Sequence, residues 1–379
     1  MCIYFLEVII LKRRHNIVTG MSLCFVLLAT LGTSAKAASA ISPAEALARV
    51  GGMLCAPVAA MAAEKQMIEN ALLPDNAAMP VAQTIDENDY SSGFWTQVPT
   101  KEELLPLPAT EMPQGSAPVL SAHYAQGTTK IYSPCGNATV KNCTDLPQSE
   151  VAAEILQEMP FAIEPNSALP QVLIMHTHAT EAYQPTPEPW CNPEYTARST
   201  DMAQNVTAVG GAMAAELNAM GVNTIQDTTL HDYPSYNGSY ARSNKTVRKY
   251  LEQYPSIKVV LDVHRDAIQK DDGTRIKPIC DINGEQAAQV MIICGADNKG
   301  NLPNFKQNLR FASHWQSKIE GLYQGLTRPL LFDYRYYNQD LTTGSLLIEV
   351  GGHANTLQEA TMAGAMAAKA LAQLLLAAP

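Results

Sequence analysis

The sequence predicts an α/β protein built on a mostly parallel, twisted sheet with helices on both faces. The first sign is alternation. Apolar strand-like runs at 171–176, 222–226, 257–263, 288–294 and 345–350 are separated by helical patterns at 201–220, 240–253, 304–323 and 355–376. Strands that alternate with helices form parallel sheets, because each return to the same edge requires a crossover that covers one face. The second sign is how the runs end. Val172-Leu-Ile-Met breaks into His176-Thr-His178-Ala-Thr-Glu181, Ile257-Lys-Val-Val-Leu into Asp262-Val-His264-Arg265-Asp266, and Ser345-Leu-Leu-Ile into Glu349-Val-Gly351-Gly352-His353. Sheets of this class place chemistry at the C-terminal lip of their strands.

Taken in order, residues 1–40 have the parts of an export signal or membrane anchor. Lys12-Arg13-Arg14 precedes a long apolar stretch, and Ala35-Lys36-Ala37 follows it. The basic flank places everything after it outside the cytoplasm, whether or not the leader is cleaved. Residues 41–73 have Ala-rich helical spacing. From 73 to 120 proline recurs among acidic and polar residues, which describes an extended linker. Residues 121–168, with strand-like Lys130-Ile-Tyr and Ala138-Thr-Val and a helical stretch from Gln148 to Met159, read as a small β-containing subdomain. It leads into a catalytic domain at 169–379.

The chain has 379 residues, 46% of them hydrophobic and 16% charged, with a formal net charge of −10. No basic stripe interleaved with aromatics exists in the body of the chain, which argues against a nucleic-acid partner. Beyond the leader and the segment behind it, Cys135, Cys143, Cys191, Cys280 and Cys294 form no C-x-x-C pair, so thiolate zinc binding is not indicated. A disulfide such as Cys135 with Cys143 is compatible with the spacing.

The strand ends supply a candidate metal centre. His178 and Glu181 stand at H-x-x-E spacing, which presents an imidazole nitrogen and a carboxylate to one cation if the turn is tight. Zinc is the cation that suits such a set, given a distant third ligand. His264 at the end of a second buried strand supplies that third ligand. Period-two alternation puts Asp262 on the same face, either as a partner steering the His264 ring or as a polar strand cap. His176 is the alternative to His178. Glu349 closes an apolar strand, where an unpaired carboxylate costs several kcal/mol unless it has work to do. As a general base it would take a proton from a zinc-acidified water and return it to a leaving amine. His231, His314 and His353 have the contexts of surface or supporting residues.

Six separated motifs also resemble one family. They are His176-Thr-His178-x-x-Glu181-x-Tyr183, Asp232-Tyr-Pro-Ser-Tyr236-Asn237-Gly-Ser-Tyr240-Ala-Arg242-Ser243, Leu261-Asp-Val-His264-Arg265-Asp266, Ala288-Gln-Val-Met291, Arg335-Tyr-Tyr-Asn338-Gln339 and Leu347-Ile-Glu349-Val-Gly351-Gly-x-x-Asn355. Across about residues 120–376 the chain resembles the stage II sporulation protein P family. That family is similar, more distantly, to the zinc-dependent N-acetylmuramoyl-L-alanine amidases. The resemblance implies an amidase-like fold, with His178, Glu181 and His264 as zinc ligands and Glu349 as the base. In the amidases the ligand Glu lies on the helix after the first strand. The corresponding region here offers Asp201, Gln204 and Asn205 and no Glu, which leaves Glu181 for that place.

The resemblance further implies hydrolysis of peptidoglycan during engulfment of the forespore, at the muramic acid–L-alanine amide and also at peptide crosslinks. The implied partners are stage II sporulation protein D and stage II sporulation protein M. Arg242 and Arg265 are expected to meet stem-peptide carboxylates, although Arg242 equally fits a helix cap. Asn338 and Gln339 are expected to meet sugar or peptide carbonyls. The same residues would also serve a zinc carboxypeptidase acting on wall peptides, and a catalytically silent glycan-binding scaffold is the reading from another class.

Overall fold

The computed structural model describes residues 102–104 and 112–377. The leader or anchor, the 41–73 helix and most of the proline-rich linker lie outside the described residues. Among the described residues no helix is long and apolar enough to cross a membrane.

The elements in chain order are β1 (Glu102–Leu104), β2 (Ala117–Tyr124), β3 (Tyr132–Cys135), β4 (Ala138–Asn142), α1 (Gln148–Ile155), β5 (Val172–Met175), β6 (Trp190–Cys191), α2 (Val206–Ala219), β7 (Thr224–Gln226), α3 (Ser239–Gln253), β8 (Val259–Asp266), β9 (Arg275–Ile282), β10 (Glu285–Ala288), β11 (Val290–Gly295), α4 (Phe305–Leu322), β12 (Leu330–Asp333), β13 (Gly344–Gly352) and α5 (Leu357–Leu376). An eight-stranded sheet runs in the order β3-β4-β12-β11-β13-β8-β5-β7. Its pairings are parallel except at β3–β4 and β11–β13. The expected mostly parallel α/β sheet is therefore present.

Alternation along the central strands assigns the two faces. Val172 and Ile174, Val259, Leu261 and Val263, and Leu346, Ile348 and Val350 point into the main core with α2, α4 and α5. The opposite side chains, Leu173, Met175 and Val260, pack under Val247 of α3. Leu347 joins Tyr240, Met291 and Tyr337 on that second side. The polar residues that continue the second pattern, Asp262, His264 and Glu349, thus share the α3 side of the sheet.

Local sequence explains the element ends that matter. Thr356 caps α5 by accepting from the Glu359 N–H, and Glu359 reciprocates at the Thr356 N–H. Asn205 caps α2 through the Thr207 N–H. This reciprocal box fixes where the chain leaves β13 and turns back over the core.

A second, five-stranded sheet contains β1, β2, β9, β10 and β6. Residues 121–168 accordingly divide between the two sheets, with β2 in the second and β3 and β4 at the edge of the main one. The β9–β10 hairpin turns at Asn283-Gly284, both with positive φ. An Asn-Gly turn is a strong hairpin signal, but Pro278 inside β9 obscures the strand that precedes it. Cys135, Cys191, Cys280 and Cys294 are free thiols, so no Cys135–Cys143 disulfide forms.

Candidate metal centre

The strand β5 and the turn after it separate the two histidines of His176-Thr-His178. His176 continues the Val172–Ile174 face and lies under α2, where a Cβ on Gly210 would stand 2.6 Å from its ring. Its Nδ1–H donates to the Val263 carbonyl at 2.8 Å, and its Nε2 lies 3.0 Å from Gln226 Nε2. Burial pushes its pKa down to about 4, so the ring is neutral and committed to packing. The chain then turns, and the Glu181 N–H donates to the His178 carbonyl at 3.0 Å. That closure brings the His178 and Glu181 side chains together, as the H-x-x-E spacing predicts.

His178, Glu181 and His264 form one buried cluster whose ligating atoms all lie within 4.8 Å of one another. His178 Nδ1 is 3.7 Å from Glu181 Oε1, and His264 Nδ1 is 3.4 Å from Glu181 Oε2. The far nitrogens are occupied. His178 Nε2 meets Ser239 Oγ at 3.2 Å, and His264 Nε2 lies 2.8 Å from Asp262 Oδ1 in a short contact of poor hydrogen-bond direction. Both rings therefore turn Nδ1 toward the same carboxylate.

Tetrahedral zinc with bonds of about 2.0–2.2 Å holds its ligand atoms roughly 3.4 Å apart. The set fits. Its charge fits as well. Burial works against an imidazolium at His264, but Asp262 and Glu181 outweigh it and raise its pKa well above the ordinary value. A cation held at the Nδ1 atoms would take the place of the proton that these two carboxylates favour on His264.

The turn after β5 and the strand β8 brace each other's carboxylates. Asp262 accepts from the Thr177 N–H at 2.8 Å and the Thr177 hydroxyl at 2.7 Å. Glu181 accepts from the Arg265 N–H at 3.1 Å, with Arg198 Nη2 3.6 Å from its other oxygen. Burial opposes its ionisation, but Arg265, His178 and His264 together hold its pKa well below the usual carboxylate range. Tyr236 stacks on His178 with ring centroids 4.5 Å apart, and the Arg198 guanidinium lies 5.3 Å from the Tyr236 ring centroid.

Glu349 stands opposite His264 in the parallel β13–β8 register. It is buried, and its Oε2 has no hydrogen-bond partner among the described residues. Burial, with Asp266 nearby, pushes its pKa well above the carboxylate range. Immediately beyond it three residues of β13 match two of β8, between Glu349–Gly352 and His264–Asp266. Gly351 has φ +68° at this bulge, and a Cβ there would stand 2.8 Å from Ala288 Cβ. Glycine is needed here to bend the chain away just after the carboxylate.

The four residues expected to contact substrate have different places. Arg242 donates to the carbonyls of His231, Asn237 and Ser235, at 2.6, 2.9 and 2.6 Å. Arg265 is buried and donates to the Ala182 and Ala197 carbonyls. Asn338 donates to the Tyr240 carbonyl and Ser243 Oγ. Gln339 donates to the Ile293 carbonyl and accepts from the Gly295 N–H. Planar guanidinium and amide groups satisfy backbone carbonyls in loops as readily as they satisfy ligands, and here they brace the site. The sequence reasoning missed Arg198, Tyr236 and Ser239. Tyr236 and Ser239 belong to the Asp232–Ser243 motif, which was the available signal; Arg198 had none.

A family model for stage II sporulation protein P matches residues 121–372, a stretch containing the cluster and Glu349. The chain belongs to the stage II sporulation protein P family. The stage II sporulation protein P of Bacillus subtilis (strain 168) is 31% identical over 214 residues, covering 54% of this chain and 50% of that protein. The chain thus matches about half the length of this curated relative. Among solved structures, the N-acetylmuramoyl-L-alanine amidase AmiC2 of Nostoc punctiforme aligns at TM-score 0.34 and 14% identity, covering 55% of this chain and 95% of that one. The N-acetylmuramoyl-L-alanine amidase from Clostridium difficile 630 aligns at TM-score 0.33 and 13% identity, covering 55% and 96%. This stage II sporulation protein P family member carries its candidate ligands on β8 and on the turn after β5, with Glu349 on the adjoining β13.

Proposed function

We propose that this chain is a zinc-dependent peptidoglycan hydrolase of sporulation that cleaves the amide between N-acetylmuramic acid and L-alanine. The observation that carries the reading is the buried His178–Glu181–His264 set with the unpartnered Glu349 carboxylate on the same side of the sheet. Zinc held by His178, Glu181 and His264 would supply a Lewis acid that brings the pKa of a bound water to about 7. Asp262 and Ser239 keep both Nδ1 atoms turned inward. Glu349, made basic by burial, takes the water proton at Oε2 and delivers it to the departing L-alanine amine. The bulge at Gly351 turns β13 away just after that carboxylate.

Family membership supports a role in sporulation, with the wall as substrate, and within it we place the reaction at engulfment of the forespore. Stage II sporulation protein D and stage II sporulation protein M are the proposed partners, and the basic-flanked apolar leader is the reason to propose a location outside the cytoplasm, anchored or secreted. The test is product analysis of digested peptidoglycan, paired with metal stoichiometry. A free lactyl group on muramic acid and a free L-alanine amine, with one zinc per chain, are expected. Products cut only within the stem peptide would replace the amidase by a peptidase. Unchanged wall and no zinc would leave only a binding scaffold.

A further inference from the structure

A cavity of about 650 Å³ is walled by the loop at Tyr183–Pro187, by Tyr195 and Gln204, by the β10 residues Glu285 and Gln286, and by the first turns of α5 from Thr356 to Met362. None of His178, Glu181, His264 or Glu349 lines it. We propose that this cleft is a glycan subsite that takes an uncharged, N-acetylated sugar chain. The proposal rests on the peptidoglycan reading for its biological ligand, but its chemistry is argued from the lining alone.

The lining contains no Lys or Arg. Of its two carboxylates, Glu359 is already paired with Lys277 at 2.9 Å. A ligand rich in carboxylates, such as a stem peptide, would find no cation here. Three side-chain amides, from Gln204, Gln286 and Gln358, line the more open part of the wall. Each amide offers a donor and an acceptor together, which is what hydroxyl and acetamido groups require. Tyr195, Pro185 and Pro187, which are half-buried or exposed, add flat apolar surface of the kind that sugar C–H faces cover. The volume falls in the range of about 300–1,000 Å³ typical of ligand sites.

The wall is also preformed. Gln184 Nε2 donates to the carbonyls of Thr186, Glu188 and Trp190 at 3.0, 2.8 and 3.1 Å, which pins the loop. Its Oε1 is buried and has no hydrogen-bond partner among the described residues. The Gln184 N–H donates to the Asn355 carbonyl, joining the loop to the start of α5. Tyr183 donates its hydroxyl to the Val350 carbonyl at 3.1 Å, one residue from Glu349. Glu181 of the metal set is three residues from Gln184, a span of at most about 11 Å. A polymer seated in the cleft would therefore also reach the hydrolytic cluster.

The probe is N,N′,N″,N‴-tetraacetylchitotetraose, which has no peptide and no scissile amide, titrated into the full chain by calorimetry. Saturable binding with Kd of about 1 mM or tighter is expected. It should weaken at least tenfold in Gln286→Ala/Gln358→Ala, two exposed positions whose replacement should leave thermal melting unchanged. It should persist in Glu349→Gln and after chelation. Cleavage of muramyl dipeptide, read separately, should be intact in the double variant, so loss of amidase activity and loss of the glycan subsite are distinguishable. Absent binding, binding unaffected by the double substitution, or displacement from the cleft by a sugar-free stem peptide would each overturn the proposal.

Discussion

Asp262 Oδ1 lies 2.8 Å from His264 Nε2, while the other nitrogen of the same ring faces Glu181 at 3.4 Å. The imidazole is thus held from one side and presented from the other. Asp262 is itself held by the Thr177 N–H and hydroxyl. Asp262→Asn keeps the size but removes the charge that favours Nδ1 as the ligand atom. Zinc affinity is expected to fall about 10–100-fold, measured by competition with a chromophoric chelator. Unchanged affinity would reduce Asp262 to a strand cap.

Glu349 is separable from metal binding. Its Oε2 has no partner among the described residues, and its neighbour across the strand pair is His264. Glu349→Gln should lower wall hydrolysis by about 10²–10⁴-fold, the range for a lost general base. Zinc content should stay at the wild-type level, because Gln neither ligates nor adds bulk. A variant that loses zinc along with activity would instead make Glu349 part of the metal set.

Gln339 gives a prediction of the opposite kind. It is buried, donates to the Ile293 carbonyl and accepts from the Gly295 N–H, so it closes the end of β11. Gln339→Leu strands two buried backbone groups. A loss of about 2–4 kcal/mol in unfolding free energy is expected, read by urea denaturation. If stability is unchanged while the Michaelis constant rises, Gln339 belongs to the substrate after all.

The strands and helices of the main sheet were legible because their apolar periods are clean, and the ligand turn because i and i+3 meet in a closed turn. The face assignment of His176 and His178 needed the turn at Thr177, which composition does not announce. The second sheet was hidden by a proline inside β9 and by the two-residue length of β6. Arg242, Arg265, Asn338 and Gln339 were legible as polar residues in the right loops. What they contact was not, since a backbone carbonyl and a substrate carbonyl make the same demand on a donor.

His353 predicts an acid limb in stability. It is buried, its Nε2 has no partner among the described residues, and burial with Arg265 and Arg275 nearby pushes its pKa down to about 3. Unfolded, the ring titrates at 6.5. Below that value the unfolded chain takes a proton that the folded chain refuses. Its contribution is therefore whole above pH 6.5, is lost progressively as pH falls toward 3, and changes no further below that. The loss is on the order of several kcal/mol at most. His353→Met replaces the ring with an apolar side chain of similar reach and keeps the backbone N–H that donates to the Asp266 carbonyl. Thermal melting between pH 7 and 4 should decline less steeply in this variant than in the wild type. Parallel declines would mean that the folded His353 takes up its proton in the ordinary range.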